Sequence, residues 1–521
     1  MRVLFATGAA LLLFAGAGAA TAKTFRLALN ADAQTLDPHA QNAQVNFALL
    51  LQAYEPLVGR DAQLKPIPVL ATRWEMVEPT RWRFHLRPNV KFHDGAAMTA
   101  DDVVFSYQRA LAPTSNVTIY IDTVAGVAKV DDLTVDISTR YPDAVLPEKI
   151  SRIFIMSKAW AEANKVERPQ NFNAKEETFA VRNMNGTGPF VLKSREFDTR
   201  TVMVRHPGYW GVVEGNVTEY VHLPIGSDAT RIAALLAGDA DIVINVPAND
   251  VARLKSDARI KVIEGQENRT VFLGFDQKRD ELLYSSVKGA NPFKDRRVRE
   301  AFAHAIDVDP IIRRVLRGQG VASGSMWTHY VNGWDKEAEQ GRRPVDRERA
   351  RRLLAEAGYP GGFEVTLDCS TGAYDEVCVA IAPMLAQIGI TAKVNIQPPP
   401  QNFPRIAKSD VSFYAVSWGV PTYDAMFTLR GIIMSREKVG SGSWNAGNYE
   451  NARVDALIEQ AQVEPDAEKR RQLMKEAHRI HNEDVGHLPL YHMMSPWAMA
   501  AKVAAAHRAD NQLEIRYVRV D

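Results

Sequence analysis

A histidine pair near the end of the chain is the first group of residues whose spacing could support metal chemistry. His478 and His481 lie three positions apart, close to Glu483 and Asp484, in a segment with a helical pattern. Imidazole and carboxylate groups at this spacing could bind a divalent metal ion. The segment is heavily charged, however, and such helix faces usually expose their histidines to solvent. We therefore predict solvated histidines, no metal site and no cofactor.

A glycine-rich segment, residues 440–445 (Gly-Ser-Gly-Ser-Trp-Asn), has part of a dinucleotide-binding pattern. The full pattern requires glycine at the sixth position, where this chain has Asn445, so we predict a mobile loop. The chain also contains no nucleophile elbow, Walker loop, HExxH motif or EF-hand spacing. A secreted hydrolase stays an alternative, because a catalytic carboxylate pair cannot be recognised by sequence among 62 acidic residues.

Aromatic side chains in two loops suggest that the chain binds a small molecule. Residues 417–424 (Ser-Trp-Gly-Val-Pro-Thr-Tyr-Asp) follow a predicted strand, and Trp444 follows the glycine-rich turn. Loops at strand ends often form ligand pockets in α/β proteins, because the sheet holds the loop and the rings bury a large area. Packing of these rings between domains is the alternative for each ring alone. Together they favour a cleft.

The segments that would position these loops have the pattern of an α/β protein. Residues 82–92 read as a hairpin of alternating polar and apolar side chains. Thr99 precedes Asp102 by three residues, which is the capping pattern of a helix start. Residues 363–396 form a strand–helix–strand unit, so its two strands should be parallel. The last predicted strand covers residues 487–494.

Composition sets the scale of the molecule. The 521 residues correspond to about 3.5 typical domain lengths, so we expect two or three domains. Hydrophobic residues make up 46% and charged residues 24%, which are values of a globular protein and not of a disordered or fibrous one. The formal net charge is +1, so no broad basic surface is available and no nucleic-acid partner is predicted.

The N-terminal segment has the form of a secretory signal. Arg2 is followed by an uncharged stretch that ends in Ala20-Thr21-Ala22, small residues typical of a cleavage site. We predict that residues 1–22 are removed and that the mature protein lies in the periplasm. An N-terminal membrane anchor is the alternative, but the stretch is rich in alanine and glycine and barely long enough for a span.

The chain has two cysteines, Cys369 and Cys378. We expect the protein to be exported to an oxidising compartment, and neither cysteine has another cysteine with which to pair. A disulfide between the two is therefore favoured. Two free buried thiols are the alternative.

Several segments closely resemble the extracytoplasmic solute-binding proteins of peptide/nickel-type ABC importers, family 5, and the resemblance extends over essentially the whole mature chain. The most specific segments are residues 68–75, 84–95 and 99–106. Further matching segments are Gly186-Thr187-Gly188-Pro189-Phe190, residues 235–241, residues 295–302, residues 353–359 and Leu488-Pro489-Leu490-Tyr491.

The resemblance implies an α/β fold of the periplasmic binding protein-like II class, cluster C type, with two hinged lobes and a small inserted α+β domain. Lobe I would comprise residues 23–57, 185–267 and 483–521, the inserted domain 58–184, and lobe II 268–482. The chain would cross between the lobes near residues 266–268 and 481–483. The Phe92-His93-Asp94-Gly95 segment would stabilise the fold and not bind ligand.

The resemblance also implies which residues line the cleft between the lobes. In peptide-binding members an aspartate shortly after the Trp-Gly pair binds the α-amino group of the peptide, but this chain has Val420 there. Either Asp424 supplies the carboxylate, or the ligand has no free α-amino group at that point. The predicted ligand-binding residues are Thr35, Asn268, Trp327, Trp418, Tyr423, Asp424, Trp444, Asn445 and Tyr491.

The expected function is capture of a solute, a short peptide or peptide-like compound, and its delivery to an inner-membrane ABC permease with cytoplasmic ATPases. The protein would be a monomer and perform no chemistry. Haem, a metal chelate, an opine or an oligosaccharide are alternative cargoes within the family. A signalling or chaperone-like receptor that uses the same fold is a further alternative.

Overall fold

The computed structural model describes residues 23–372, 374–436 and 441–521. The predicted signal peptide, residues 1–22, and Gly440 of the glycine-rich segment lie outside these ranges. Within them, no helix combines the length and the apolar character needed to span a membrane.

The strands are numbered in chain order. They are β1 (Thr24–Leu29), β2 (Val58–Arg60), β3 (Pro66–Pro68), β4 (Ala71–Glu78), β5 (Arg81–Leu86), β6 (Val124–Asp131), β7 (Thr134–Thr139), β8 (Phe190–Glu196), β9 (Arg200–Arg205), β10 (Glu219–Pro224), β11 (Ile242–Ile244), β12 (Ile260–Phe275), β13 (Gly320–Ala322), β14 (Glu364–Ser370), β15 (Thr391–Gln397), β16 (Phe413–Gly419), β17 (His487–Ala500), β18 (Val503–Ala504) and β19 (Arg519–Val520).

The helices are numbered in the same way. They are α1 (Gln44–Ala53), α2 (Ala100–Ala110), α3 (Leu146–Lys149), α4 (Lys158–Ala163), α5 (Asp228–Ala237), α6 (Ala248–Lys255), α7 (Arg296–Ala305), α8 (Val308–Pro310), α9 (Lys336–Gln340), α10 (Arg347–Glu356), α11 (Asp375–Ala386), α12 (Pro399–Ala407), α13 (Met426–Thr428), α14 (Ala452–Val463) and α15 (Ala467–Glu483). Single 3₁₀ or π turns lie at Thr118–Tyr120, Ile150–Arg152, Phe172–Ala174, Phe179–Val181, Pro292–Lys294, Ile311–Val315, Leu429–Ile433 and Ile515–Tyr517.

One mixed sheet runs through both lobes, in the order β15-β14-β16-β12-β17-β11-β1-β10-β9-β8, with β13 added beside β17. The predicted strand–helix–strand unit is confirmed, because β14 and β15 pair in parallel across α11. Helices cover both faces of the sheet in each lobe, and the described residues form two core clusters in lobe I and three in lobe II. The expected α/β fold is therefore present.

The inserted domain carries its own antiparallel sheet, in the order β4-β5-β7-β6. The predicted hairpin of residues 82–92 is wrong in its second strand: β5 covers the first strand, but it forms its hairpin with β4, and Lys91 makes only a single bridge to Ala97. The predicted helix start is confirmed as the N-terminus of α2. There the Thr99 amide donates to the Asp102 carboxylate at 2.9 Å, which completes a capping box. The apolar residues of the inserted domain belong to the same core cluster as those of lobe I, so the inserted domain and lobe I form one packed body.

The segment Phe92-His93-Asp94-Gly95 attaches the inserted domain to lobe I. The His93 amide donates to the carbonyl of Gly186 at 2.9 Å, and its Nε2 lies 3.0 Å from the carbonyl of Gly188. A Cβ on Gly186 would lie 2.0 Å from the carbonyl oxygen of Ala53, so the close approach requires glycine. Both segments of the resemblance thus stabilise the fold at this junction.

The long strands β12 and β17 pair with each other and pass from one lobe to the other. Along β12, Ile263 packs against the lobe I core and Val271 belongs to the lobe II core. Along β17, Tyr491 lies in the lobe II core and Trp497 in that of lobe I. We infer that the second crossing lies between residues 492 and 496, and not at residues 481–483 as expected. The predicted strand 487–494 extends to Ala500, which moves the crossing into the strand.

The prediction of solvated histidines on α15 is wrong. His478 and His481 are both fully buried, and His481 Nε2 lies 3.0 Å from His487 Nδ1. The His478 ring lies against Trp327, with centroids 4.1 Å apart. Among residues 23–372, 374–436 and 441–521, no group of three or more His, Cys, Asp or Glu side chains is arranged to hold a metal ion. These histidines fill the core of lobe II.

The two cysteines are joined. Cys369, near the end of β14, and Cys378, in α11, form a disulfide whose half-cystines are both fully buried. The bond fastens α11 to the sheet that it covers.

The buried histidines should make the protein sensitive to moderate acid. Burial lowers the pKa of His478 to about 3 and that of His481 to about 4, from 6.5. The unfolded chain then binds more protons than the folded one below pH 6.5. We expect the free energy of unfolding to fall between pH 6.5 and 4, by up to about 1.4 kcal/mol per pH unit for each histidine. Urea denaturation at several pH values measures this slope.

His478→Phe should reduce the number of protons taken up on unfolding by about one, whereas Gln63→Ala, at an exposed side chain without a titratable group, should leave the slope unchanged. A slope in His478→Phe equal to that of the unsubstituted protein would contradict the assignment.

The disulfide predicts a simple thiol count. The unreduced mature protein should have no thiol that reacts with Ellman's reagent in denaturant, and the reduced protein should have two. Reduction should lower the free energy of unfolding by about 2–3 kcal/mol, as expected for a short closed loop. Two reactive thiols before reduction would show that the bond is absent from the purified protein.

Candidate functional site: the cleft between the lobes

A cavity of about 280 Å³ lies between the two lobes, at the level where the paired strands β12 and β17 pass from one lobe to the other. Lobe I and the inserted domain form one wall, and lobe II forms the other. A smaller cavity of about 70 Å³ adjoins it and shares Arg152, Tyr423 and Asp510 with it. The larger cavity is lined by Asn42, Gln44, Tyr120, Arg152, Glu267, Asn268, Arg269, Trp418, Gly419, Val420, Pro421, Tyr423, Phe427, Ala509 and Asp510.

Trp418 forms the aromatic part of the lobe II wall. It is the penultimate residue of β16 and stacks on Phe427, with ring centroids 5.2 Å apart. Its Nε1 donates to the Thr428 hydroxyl at 3.2 Å, which fixes the orientation of the ring. Trp444 lies behind it at 6.0 Å and is 41% exposed. The structure thus places Trp418 at the cleft and Trp444 beside it.

Tyr423 connects lobe II with the opposite wall. Its hydroxyl donates to the Asp510 carboxylate at 3.3 Å, and the Arg60 guanidinium lies 3.9 Å above its ring. Its φ of 56° turns the loop sharply after Val420, and Asn332 donates its amide to the Tyr423 carbonyl. Burial, together with the nearby Asp510, raises the pKa of Tyr423 to about 12, so the hydroxyl stays protonated and able to donate.

Asn268 holds three parts of the cleft together at the first crossing between lobes. Its Nδ2 donates to the Val420 carbonyl at 2.9 Å, and its Oδ1 accepts from the Thr328 hydroxyl at 2.7 Å. Its backbone amide donates to the carbonyl of Ala509 at 2.7 Å. Its side-chain bonds position the loop after β16, so Asn268 lines the cavity with its polar atoms already engaged.

Four predicted site residues lie inside the lobes and contact none of the cavity described above. Each packs or bonds within its own lobe, and sequence alone cannot distinguish a large aromatic in the core from one in a cleft. They are Thr35, which accepts from the Asp37 amide; Trp327, which packs on His478; Asn445, which bonds Met434 and Tyr449; and Tyr491, in the lobe II core.

Asp424 cannot replace the missing amine-binding carboxylate in this arrangement. Arg470 binds both of its oxygens, each at 2.7 Å, and the Asn332 side chain and the Met426 amide donate to it as well. Asp424 lies instead in a neighbouring cavity of about 150 Å³ between lobe II and the inserted domain. Its charge is neutralised within its own lobe.

Val420 offers no replacement either. Its side chain is 1% exposed and packs in the lobe II core with Leu429 and Ile432. Only its backbone faces the cavity, and its carbonyl already accepts from Asn268. The cleft therefore lacks a lobe II carboxylate at the position that binds the α-amino group in peptide-binding members.

Sequence reasoning missed the charged residues of the opposite wall. Asp510 is paired with Arg508 at 2.8 Å; burial alone would raise the pKa of Asp510, but Arg508 holds it below its usual value. Glu267 is paired with Arg269 at 2.9 Å. Arg152 follows Ile150 and Ser151 and precedes a buried apolar run, a pattern that indicates a partly buried charge.

An ion pair joins the lobes on the rim of the cleft. Arg430 of lobe II lies 2.8 Å from Asp122 of the inserted domain, and both side chains are partly exposed. Together with the Tyr423 contacts it holds the two walls against each other. The arrangement is that of a two-lobed binding protein with its lobes in contact around a small cleft.

The family model for bacterial extracellular solute-binding proteins, family 5 (middle region), matches residues 65–437. The chain belongs to this family. The expected resemblance is thereby confirmed.

Individual relatives agree with this assignment. Heme-binding protein A of Haemophilus influenzae is 28% identical over 453 residues, covering 82% of this chain and 78% of that protein. The structure of HbpA2 from Haemophilus parasuis superposes with a TM-score of 0.79 at 23% identity, covering 96% of this chain and all of that one. The periplasmic binding protein DppA from Helicobacter pylori, in complex with the peptide STSA, gives 0.75 at 22% identity, covering 95% and 98%.

Because Asp424 is paired with Arg470, we predict that Asp424→Ala lowers the stability of the fold and has its effect on ligand binding mainly through that loss. Removing the carboxylate leaves a buried guanidinium without a counter-ion, and we expect the free energy of unfolding to fall by about 3–5 kcal/mol. The double variant Asp424→Ala with Arg470→Met should recover most of that loss. Chemical denaturation measures both.

Asp122→Ala is the matched control, because it breaks a partly exposed pair and should cost about 1 kcal/mol or less. If Asp424→Ala and Asp122→Ala have equal free energies of unfolding, and Asp424→Ala also loses much of its ligand affinity, Asp424 would instead be a ligand-binding residue.

Proposed function

We propose that this protein is the solute-binding component of an ABC importer, which captures a small solute between its lobes and delivers it to an inner-membrane permease coupled to cytoplasmic ATPases. The observation that supports the proposal most directly is the cavity of about 280 Å³ whose walls come from both lobes. Membership of family 5 supports the same function.

Lobe closure is the proposed mechanism of capture. A ligand that contacts both walls stabilises the closed arrangement by its differential affinity for that state. The pairing of β12 with β17 shifts register between Gln266 and Thr270, opposite Met494 and His492. An interrupted ladder at the crossing is the place where a small change in backbone angles would move one lobe relative to the other.

The proposed cargo is a short peptide or peptide-like compound. The cavity of about 280 Å³ is just below the ~300–1,000 Å³ typical of ligand sites, which favours a solute of a few residues over a large macrocycle. The burial of Val420 and the neutralisation of Asp424 favour a compound that does not depend on a lobe II carboxylate for an α-amino group. Peptides modified at that end and opine-like compounds satisfy this condition.

We propose further that the protein acts as a monomer in the periplasm and releases its cargo unaltered. A secreted hydrolase would require a nucleophile with a base in reach, and Asn268, Tyr423 and Asp510 of the cleft wall are engaged in pairing and in positioning loops. Incubation of a bound peptide with the protein, followed by mass spectrometry, tests for turnover. Any product above the buffer control would overturn this part of the proposal.

Native mass spectrometry of freshly purified mature protein, followed by thermal-shift screening of peptides, sugars and chelates, tests the function. A true ligand should raise the free energy of unfolding by RT ln(1 + [L]/Kd), which is about 2.7 kcal/mol at a hundredfold excess over Kd. Trp418→Ala should weaken that ligand more than tenfold by removing the aromatic wall. Trp82→Ala, in the inserted domain, is the control and should leave affinity unchanged.

Small-angle X-ray scattering with and without the ligand should record a decrease in radius of gyration as the lobes close. The absence of any stabilising compound, with no co-purified ligand and no change in scattering, would count against the function.

A further inference from the structure

Five arginines and four carboxyl groups line the two connected cavities of the cleft, so the walls carry one excess positive charge when all nine groups are ionised. The arginines are Arg60, Arg152, Arg269, Arg508 and Arg516, and the acids are Glu55, Glu267, Asp510 and Glu514. Most of these groups neutralise one another. The location of the excess charge decides what kind of group the cleft can hold.

Three of the arginines are paired with the acids. Arg269 binds Glu267 at 2.9 Å, Arg508 binds Asp510 at 2.8 Å, and Arg516 binds Glu514 at 2.6 Å. The fourth acid, Glu55, accepts from Tyr209, Trp210 and Thr187 at 2.7–2.8 Å, and burial raises its pKa.

Arg60 uses its donors within the protein. It donates to the backbone carbonyls of Leu64 and Glu148 and to the Ser151 hydroxyl, and its charge lies over the ring of Tyr423. Arg60 therefore fastens the inserted domain to Tyr423 and has no free face for a ligand.

Arg152 is different, because among the described residues no carboxylate lies within 4 Å of it. Its guanidinium lies 4.5 Å from the ring centroid of Phe47, and one nitrogen is 3.5 Å from the Tyr120 hydroxyl, a weak hydrogen bond. It is half-buried and belongs to the walls of both cavities. The aromatic rings hold the planar group in place while its remaining N–H donors have access to the cavity.

We propose that Arg152 binds a carboxylate of the solute, so that the cargo is a compound with a free carboxylate at the end that enters between lobe I and the inserted domain. This inference rests on the proposed function. A guanidinium offers two parallel N–H bonds to a carboxylate. One excess charge in the walls matches a single monoanionic group better than a dianionic phosphate.

The test uses matched pairs of compounds that differ only in this group. Trialanine and its C-terminal amide, reduced glutathione and its dimethyl ester, and octopine and its diester are titrated by calorimetry against the intact mature protein. For every pair that binds, we expect the free acid to bind at least tenfold more tightly than its neutral derivative. Inorganic phosphate and sulfate, titrated alone, should bind more weakly than the best carboxylate.

The variant Arg152→Gln should remove the difference between acid and derivative, and Arg152→Lys should retain part of it. Arg259→Gln, on the outer surface, is the control and should keep the full difference. Thermal unfolding without ligand checks that each variant is folded, and scattering checks that its lobes still close on the neutral derivative.

Equal affinity for acid and derivative, or a full difference retained in folded Arg152→Gln, would show that Arg152 does not bind the carboxylate of the solute. The proposed capture of a solute would not be contradicted by that result. Tighter binding of phosphate than of any carboxylate would overturn the choice of carboxylate. Failure of every compound to bind would count against both the carboxylate site at Arg152 and the proposed function.

Discussion

The pairing of β12 with β17 is the constraint on which the rest of the molecule depends. These two antiparallel strands belong to the cores of both lobes, so the lobes share one sheet. A continuous hydrogen-bonded ladder would make the molecule rigid. The register shifts opposite Met494 and His492 interrupt the ladder at the level of the cleft. The cavity and the crossing therefore lie at the same height because β12, which contributes Glu267, Asn268 and Arg269 to the cavity wall, also connects the lobes.

Within each body, buried ion pairs set the positions of the walls. Arg109 binds both oxygens of Asp37 at 2.7 Å below the lobe I wall, and Arg470 does the same with Asp424 in lobe II. Such pairs add little net stability, because desolvation of both charges offsets their attraction. Breaking one is costly, so each fixes the loop that carries its carboxylate. Rigid walls then leave the relative position of the lobes as the main freedom.

Local patterns in the sequence were sufficient for much of the fold. The strand at residues 82–86, the Thr99–Asp102 cap and the strand–helix–strand unit depend on local neighbours, and these predictions are confirmed. The hairpin partner of that strand was predicted wrongly, because β5 pairs with the preceding β4 and not with residues 90–92. The second crossing depends on which core each part of one strand contacts, and no local pattern carries that information.

The candidate site was predicted less well for the same reason. Trp418 could be placed at the cleft because it ends a strand in an α/β sheet, whereas Trp327 and Tyr491 have equally suitable sequence neighbourhoods and lie in the core. Arg109 and Arg152 both occur in segments with buried apolar neighbours. What separates them is whether a distant carboxylate, such as Asp37, meets the guanidinium. Such long-range pairing becomes visible only in three dimensions.

The charge balance of the cleft also bears on when the lobes close. The contacts across the rim, Arg430 with Asp122 and Tyr423 with Asp510, involve partly exposed or neutral partners, and exposed ion pairs contribute about 1 kcal/mol or less. Closure of the empty cleft withdraws Arg152 from water while no described carboxylate contacts it, and the charge of Asp510, which is paired with Arg508, acts on it only from a distance. A carboxylate in the proposed complex supplies a contacting counter-ion only when the walls are together. In the proposed complex, the contact between this carboxylate and Arg152 thus gives the ligand its differential affinity for the closed state.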